Sequence, residues 1–503
     1  MPDASDGLST DHLLRDLRPR SVRGGAITLG AQAFKLVLQF ATIVVLARLL
    51  PPEDFGLIAM VGALCTMLDL VKELGLSAAT IRKPDLTHAE VTALFWLNTS
   101  AGALIMLFLI AFAPLVARFY EEPQLTAITR WLGLGFFLGG LTVQHWALLR
   151  RQMRFSAAVA VDAGSEVIGF FVAIALARAG AGYWALVVQR LSASFCVLVG
   201  SWALCSWRPA APRRLSGIGD LLRFGFSVTG VNVAAAFARS IDQILVGWLW
   251  GANALGLYER AAKLLLTPLN NINMPLYAVA MPSLSRIENQ PERYRRAFCE
   301  VMEKLAMVVV PGALFVSSAA DWIVRIIFGA QWLAATPLVA FFAIAAAYQP
   351  LIQAAGLLYL TQTRSRDMVR AAILDTSVCV LAVVGGLTFG VTAIAAALAA
   401  TGILLRAPLA FWLATRRGPV RLSDIALSIF PALVAGLVVM SMTAALRATV
   451  FTRHTPAIDA LAVAVILAVP TTLAVYAAIP RSRHALSSFL ALAQHLRGPT
   501  PDL

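Results

Sequence analysis

Charge is what this sequence has least of. Asp, Glu, Lys and Arg make up 14% of its 503 residues, where a soluble globular chain uses about 25% to keep its surface wet. A soluble fold is therefore excluded. Histidine and cysteine are sparse as well. The six histidines lack metal-ligand spacing. The five cysteines, Cys65, Cys196, Cys205, Cys299 and Cys379, are odd in number, scattered and mostly inside apolar stretches, so neither a disulfide framework nor a CxxC site is implied. No metal and no cofactor are expected. No Gly-Lys dipeptide occurs, which removes a Walker A loop, and HExxH and GxSxG are missing too. ATP hydrolysis is ruled out and the chain reads as a non-enzyme.

What is present is long apolar runs, such as 91–116 and 457–479, where a bilayer span needs about 20 residues. The pattern predicts an all-α integral membrane protein with about fourteen transmembrane helices, over 26–50, 54–80, 90–117, 125–149, 155–178, 182–206, 221–249, 254–285, 297–321, 337–361, 370–388, 391–415, 424–446 and 457–479. The first follows Arg15, Arg18, Arg20 and Arg23, but it is too long for a signal-peptide core and a second span follows at once, so it reads as an uncleaved anchor.

Basic residues test that count. Alternate connections hold 25 of them on one side, from Arg15 through Arg82, Arg150, Arg208, Arg293, Arg364 and Arg416 to Arg497, and six on the other: Arg48, Arg118, Arg178, Arg325, Arg447 and Arg453. A wrong count would mix the two sets. By the positive-inside rule both termini are expected in the cytoplasm, with the protein multi-pass in the inner (cytoplasmic) membrane. The net charge of +14 is then explained by a cationic cytoplasmic face against anionic lipid, and nucleic acid is not needed.

An internal repeat runs through the chain. A shift of 200 residues aligns Gly25, Gly30, Leu49, Gly56 and Leu57 with Gly225, Gly230, Leu249, Gly256 and Leu257, while a shift of 210 aligns Leu148, Gln152 and Arg154 with Leu358, Gln362 and Arg364. Six spans separate the copies, an even number, so both enter the membrane in the same sense. The expected organisation is a cytoplasmic segment 1–24, two pseudo-symmetric six-helix bundles at 25–210 and 218–416, two extra C-terminal helices within 421–480, and a cytoplasmic tail 481–503.

Ionisable groups inside spans cost about 2.5–3.5 kcal/mol each on insertion scales, so each needs a reason. In span two, Asp69, Lys72 and Glu73 share a face. Shifted by 200 they meet Asn270, Asn271 and Asn273, flanked by Pro268 and Pro275 with Pro282 beyond, which predicts a locally interrupted helix. Two such polar segments at equivalent positions point to a transport site; the competing reading is that they tie helices together. Asp162 and Glu166 lie one turn apart at a depth similar to Arg190. Arg239 and Asp242 form an i,i+3 pair, and Arg406 stands alone in span twelve. A structural ion pair is the competing reading for the pairs. Gly135 and Gly139 match GxxxG, a signal of close helix packing.

The first half of the chain resembles bacterial polysaccharide transporters, the Wzx-type flippases of lipid-linked oligosaccharides (O-antigen flippases), within the multidrug, oligosaccharidyl-lipid and polysaccharide exporter superfamily. The likeness rests on Ala47-Arg-Leu-Leu-Pro-Pro-Glu-Asp-Phe-Gly56, Glu73-Leu-Gly-Leu-Ser-Ala-Ala79, Leu148-Leu-Arg-Arg-Gln-Met-Arg-Phe155, Gly182-Tyr-Trp-Ala-Leu186 and Asp242-Gln-Ile-Leu-Val-Gly247, and extends over about 20–410. It implies a twelve-helix core around a partly cationic cavity of alternating access. An undecaprenyl-diphosphate-linked repeat unit would be flipped there for lipopolysaccharide or exopolysaccharide assembly. Implied partners are this lipid-linked substrate, membrane lipids, and polysaccharide polymerase and chain-length machinery. On that resemblance the substrate-cavity candidates are Lys35, Arg190, Arg239, Arg260, Lys263 and Arg406 for the diphosphate and Asn270, Asn271 and Asn273 for sugar. Asp69, Glu73, Glu166 and Asp242 are candidates for ion coupling. The alternatives are a multidrug antiporter of the same superfamily and a membrane polysaccharide polymerase or ligase.

Overall fold

In a bilayer, backbone amides find partners only inside a helix or a closed barrel, and runs of this length and composition satisfy themselves as helices. The structure, a computed structural model, describes residues 17–73, 80, 87–211, 218–451, 455–480 and 482–483, with the side chains of these except 17–29, 70–73, 218–239, 270–276 and 278–279. The described elements are all helical. In order they are α1 (Leu17–Leu49), α2 (Pro52–Glu73), α3 (His88–Tyr120), α4 (Gln124–Arg151), α5 (Phe155–Arg178), α6 (Trp184–Leu204), α7 (Ile218–Ser285), α8 (Pro291–Ser318), α9 (Ala320–Ile327), a 3-10 turn (Ala330–Ala335), α10 (Thr336–Thr361), α11 (Ser365–Leu387), α12 (Val391–Thr401), a π-turn (Gly402–Arg406), α13 (Ala407–Thr415), α14 (Leu422–Thr449) and α15 (Ala457–Ala478).

Ten described helices are long and apolar enough to cross a membrane, or eleven if α8 and α9, bent by 80° at their junction, make one span. α2 and the two halves of α7 fall outside that set. α2 carries five charged residues, Glu53, Asp54, Asp69, Lys72 and Glu73. α7 covers two expected spans joined at Gly251, whose φ of 75° and ψ of −177° break the helix there. Glycine takes this conformation without steric cost. The interruption expected around Pro268, Pro275 and Pro282 is not found, and the backbone stays helical to Ser285. The prolines are spaced by seven residues, two turns, so all three fall on one face and each removes a single hydrogen bond from the ladder.

The chain forms two compact units, residues 1–256 and 257–503. In the first, α3 packs along α4, α5 along α6, α4 against α6 and α1 against α5. Phe95, His145, Trp202 and Trp207 form an aromatic knot in which His145 stacks on Trp202 with centroids 4.5 Å apart. α2 crosses the start of the second half of α7 by a reciprocal contact. A Cβ on Gly56 would lie 1.7 Å from the carbonyl oxygen of Ala252, and one on Gly256 would lie 1.8 Å from that of Pro52. These four positions pair under the 200-residue shift, so the repeat is written into a backbone contact that only glycine permits.

In the second unit α8 packs against α14 and α10, α11 against α12, and α14 against α15. Its core gathers Tyr294, Phe298, Met302, Leu351 and Leu358, and the Tyr294 and Thr361 hydroxyls are 2.6 Å apart.

The 210-residue shift also holds at the level of single hydrogen bonds. In the first unit Met153 takes a φ of 52°, the Arg154 amide donates to Leu149 O, and its guanidinium donates to Leu204 O at the end of α6. In the second, Thr363 takes a φ of 53°, the Arg364 amide donates to Tyr359 O, and its guanidinium donates to Ala414 O in the last turn of α13. Each arginine thus covers a helix C-terminus, where unpaired carbonyls carry partial negative charge.

Candidate functional site

Four helices of the first unit surround a cleft of about 340 Å³. Helical spacing sets its lining. On α5, Asp162, Ser165 and Glu166 sit at i, i+3 and i+4. On α6, Arg190, Ala193, Ser194 and Val197 continue the same rule, and α2 adds Cys65, Thr66 and Asp69. On α4 the wall is Gly135, Phe136, Gly139 and Thr142, so missing side chains help create the space. The GxxxG pair serves the cleft as much as packing: a Cβ on Gly135 would meet only Leu191 and Ser194, at ordinary contact distances of 3.9 and 4.0 Å.

Two of the charged groups are bound and two are not. Lys35 on α1 reaches Asp162 with Nζ 2.7 Å from Oδ2, at part-exposed positions. Asp69, an exposed member of the lining, has an electrostatic partner. Arg190 and Glu166 form no ion pair among the described residues. A guanidinium in a membrane-spanning helix is costly unless water or a ligand reaches it, and it is the side chain whose planar fork suits phosphate oxygens. Hydroxyls of Thr66, Thr142, Ser165 and Ser194 bring sugar-compatible groups to the same walls, although Thr66, Thr142 and Ser165 bond carbonyls of their own helices.

The candidate cations Arg260, Lys263 and Arg406 lie in the second unit and carry carboxylate partners. Arg406 does not stand alone: its Nε and Nη2 bind both oxygens of Asp375 on α11 at 2.7 and 2.9 Å. Asp375 lies nine residues after Arg366 and Arg406 ten before Arg416, so similar depth on adjacent antiparallel helices is the signal in the sequence for this pair. The π-turn that carries Arg406 is seated on Tyr348. A Cβ at Gly402 would come within 2.0 Å of that ring, and the Tyr348 hydroxyl donates to Leu398 O at 3.1 Å. Arg260 and Lys263 both bind Glu259, which is buried; Arg260 Nε lies 3.2 Å from Oε2. Neighbourhood in sequence, i+1 and i+4, would have found Glu259. Asp242 lies on α7 in the first unit, where its Oδ1 accepts from the Gln243 amide at 2.8 Å. The side chains of Glu73, Arg239, Asn270, Asn271 and Asn273 lie outside the described residues. No cluster of His, Cys, Asp and Glu that could hold a metal occurs among the described residues.

The family model described as polysaccharide biosynthesis protein matches residues 45–337. Among curated proteins, the teichuronic acid biosynthesis protein TuaB of Bacillus subtilis (strain 168) is 28% identical over 299 residues, 59% of this chain and 62% of that protein. The succinoglycan biosynthesis transport protein ExoT of Rhizobium meliloti (strain 1021) is 25% identical over 61% of this chain and 62% of that protein. The matched part therefore spans less than two thirds of these relatives. Among solved structures, the lipid II flippase MurJ in an inward closed conformation superposes with a TM-score of 0.70 at 13% identity, covering 90% of this chain and 98% of that one. At that identity the likeness speaks for the fold, an all-α multi-pass membrane architecture.

Proposed function

Because the chain belongs to the polysaccharide biosynthesis protein family, we propose that it moves undecaprenyl-diphosphate-linked oligosaccharide repeat units across the cytoplasmic membrane, with both termini in the cytoplasm. The observation that carries this reading is the cleft of the first unit, where Arg190 and Glu166 stand without ion-pair partners among the described residues, against hydroxyl-bearing walls. A diphosphate recruits a guanidinium, sugar hydroxyls pair with Ser and Thr oxygens, and a polyprenyl tail can stay in lipid throughout. Asp69 and Glu166 line the same cleft. A proton taken up by either would change the charge facing Arg190, which links ion movement to diphosphate release without ATP. Twelve helices in two bundles, at 25–210 and 218–416, would alternate access, and 421–480 would add two peripheral spans. Polymerase and chain-length machinery would take the product.

The test is deletion in the native host with leaflet-resolved labelling of lipid-linked repeat units. The expected result is accumulation on the cytoplasmic leaflet and loss of the cognate surface polymer, restored by the wild-type gene. Normal polymer in a strain without paralogues would sink the reading.

A further inference from the structure

The two units differ most where they should be most alike. The arginine that covers a helix end is Arg154 in one and Arg364 in the other, but the charged residues that surround Arg364 have neutral counterparts in the first unit. The positions related by 210 residues to Arg366, Asp367, Arg370, Arg416 and Arg417 are Ser156, Ala157, Ala160, Ser206 and Trp207. Capping α13 therefore needs only Arg364, which binds Leu413 O, Ala414 O and Arg417 O as well as Asp367. Asp367 is buried, and its carboxylate already holds Arg364 at 3.1 Å. Around it stand Arg370 at 3.9 Å, Arg416 at 3.8 Å and Arg417 at 3.6 Å. One carboxylate thus faces four guanidiniums, and Arg370 and Arg417 are two-thirds exposed.

Beside this charge lies apolar surface. Met368, Val369 and Ile373 are exposed on α11, the least buried of the candidate spans, and the exposed Trp412 ring lies 5.7 Å from the Arg416 guanidinium. A water-soluble anion would have no use for that flank. A lipid with a charged headgroup and an acyl chain fits both parts at once.

We propose that Arg370, Arg416 and Arg417, with Trp412 and the exposed face of α11, form a binding site for an anionic glycerophospholipid. The headgroup phosphate lies on the arginines and an acyl chain runs along α11. The site is independent of what the protein transports, and it belongs to the second unit alone.

The experiment is native mass spectrometry of the full-length detergent-solubilised protein titrated with phosphatidylglycerol, phosphatidylcholine or inorganic phosphate. Phosphatidylglycerol should be retained in preference to phosphatidylcholine, and the double variant Arg370→Gln/Arg417→Gln should weaken it about thirtyfold. A charge-matched control at the exposed Arg150 and Arg293, both changed to Gln, should leave binding within about twofold. An equal loss in the control, equal retention of phosphatidylcholine, or displacement of the lipid by millimolar inorganic phosphate would overturn the proposal. Wild-type protein gives a second reading that needs no variant. A photoactivatable phosphatidylglycerol should crosslink within 368–374 or at Trp412, and crosslinks confined to other helices would overturn the site.

Discussion

The two units carry their intramembrane charges in opposite ways. In the first, Arg190 and Glu166 face a cleft without ion-pair partners among the described residues, and the Lys35–Asp162 bridge is part exposed at 30% and 41%. In the second, Arg406 and Asp375 close on each other with two hydrogen bonds at 13% and 34% exposure, and Glu259, buried on α7, holds Arg260 and Lys263. The two halves of the repeat use their charges for different ends. Where pairs are closed and buried, they fasten helices. Where charge is left open, a ligand can meet it.

The largest effect should come from breaking a closed pair. Asp375→Asn leaves the Arg406 guanidinium buried without its counter-ion. Removal of one partner from a buried pair costs 3–5 kcal/mol, and the part exposure of Asp375 brings this to about 2–3 kcal/mol. Thermal unfolding in detergent measures it. The matching change in the first unit, Asp162→Asn opposite Lys35, should cost less than about 1 kcal/mol because both groups reach solvent. Equal losses would erase the distinction between the units. Next comes Gly402→Ala, which drives a methyl into the Tyr348 ring and should cost about 1–3 kcal/mol. Since that turn aims Arg406 at Asp375, the variant and Asp375→Asn should fall short of additivity.

The open cleft predicts a different signature. Arg190→Gln should leave unfolding within about 0.5 kcal/mol of wild type, as an exposed cation without an ion pair among the described residues holds nothing together. Surface polymer carried by the lipid-linked pool should nevertheless fall at least about tenfold, the equivalent of one lost charge-assisted contact. A variant that loses stability in step with transport would place Arg190 among the fasteners.

Much of this architecture was legible in the sequence. Apolar run length gave the helices, and the shifts of 200 and 210 residues reappear as the Gly56–Gly256 crossing and the paired Arg154 and Arg364 caps. The misreadings concern partners. Arg406 looked solitary because Asp375 is 31 residues away on another helix, and hydropathy does not report depth-matched contacts. The prolines of α7 suggested an interruption, but three prolines on one face leave the remaining ladder intact. The cleft was half visible: Asp162, Glu166 and Arg190 stood out by their cost, whereas Gly135 and Gly139, which make room for them, read as packing. Glu259 is legible from spacing alone, one residue before Arg260 and four before Lys263.

The smallest effect tests whether the first unit tolerates uncompensated charge beyond its cleft. Glu122 lies in the turn between α3 and α4, and burial, followed by the negative charge of Glu53, pushes its carboxyl above the ordinary value of 4.5. A raised folded-state value means that the folded protein binds the proton more tightly than the unfolded chain does. Stability associated with Glu122 is therefore fully present below 4.5 and is lost as pH rises through the higher folded value. Glu122→Gln should flatten that segment of the melting-temperature profile and lift the neutral-pH end slightly, while leaving the acidic end unchanged. A profile parallel to wild type across the whole range would mean that neither burial nor the charge of Glu53 raises the Glu122 carboxyl. The open electrostatics of the first unit would then be a property of the cleft alone.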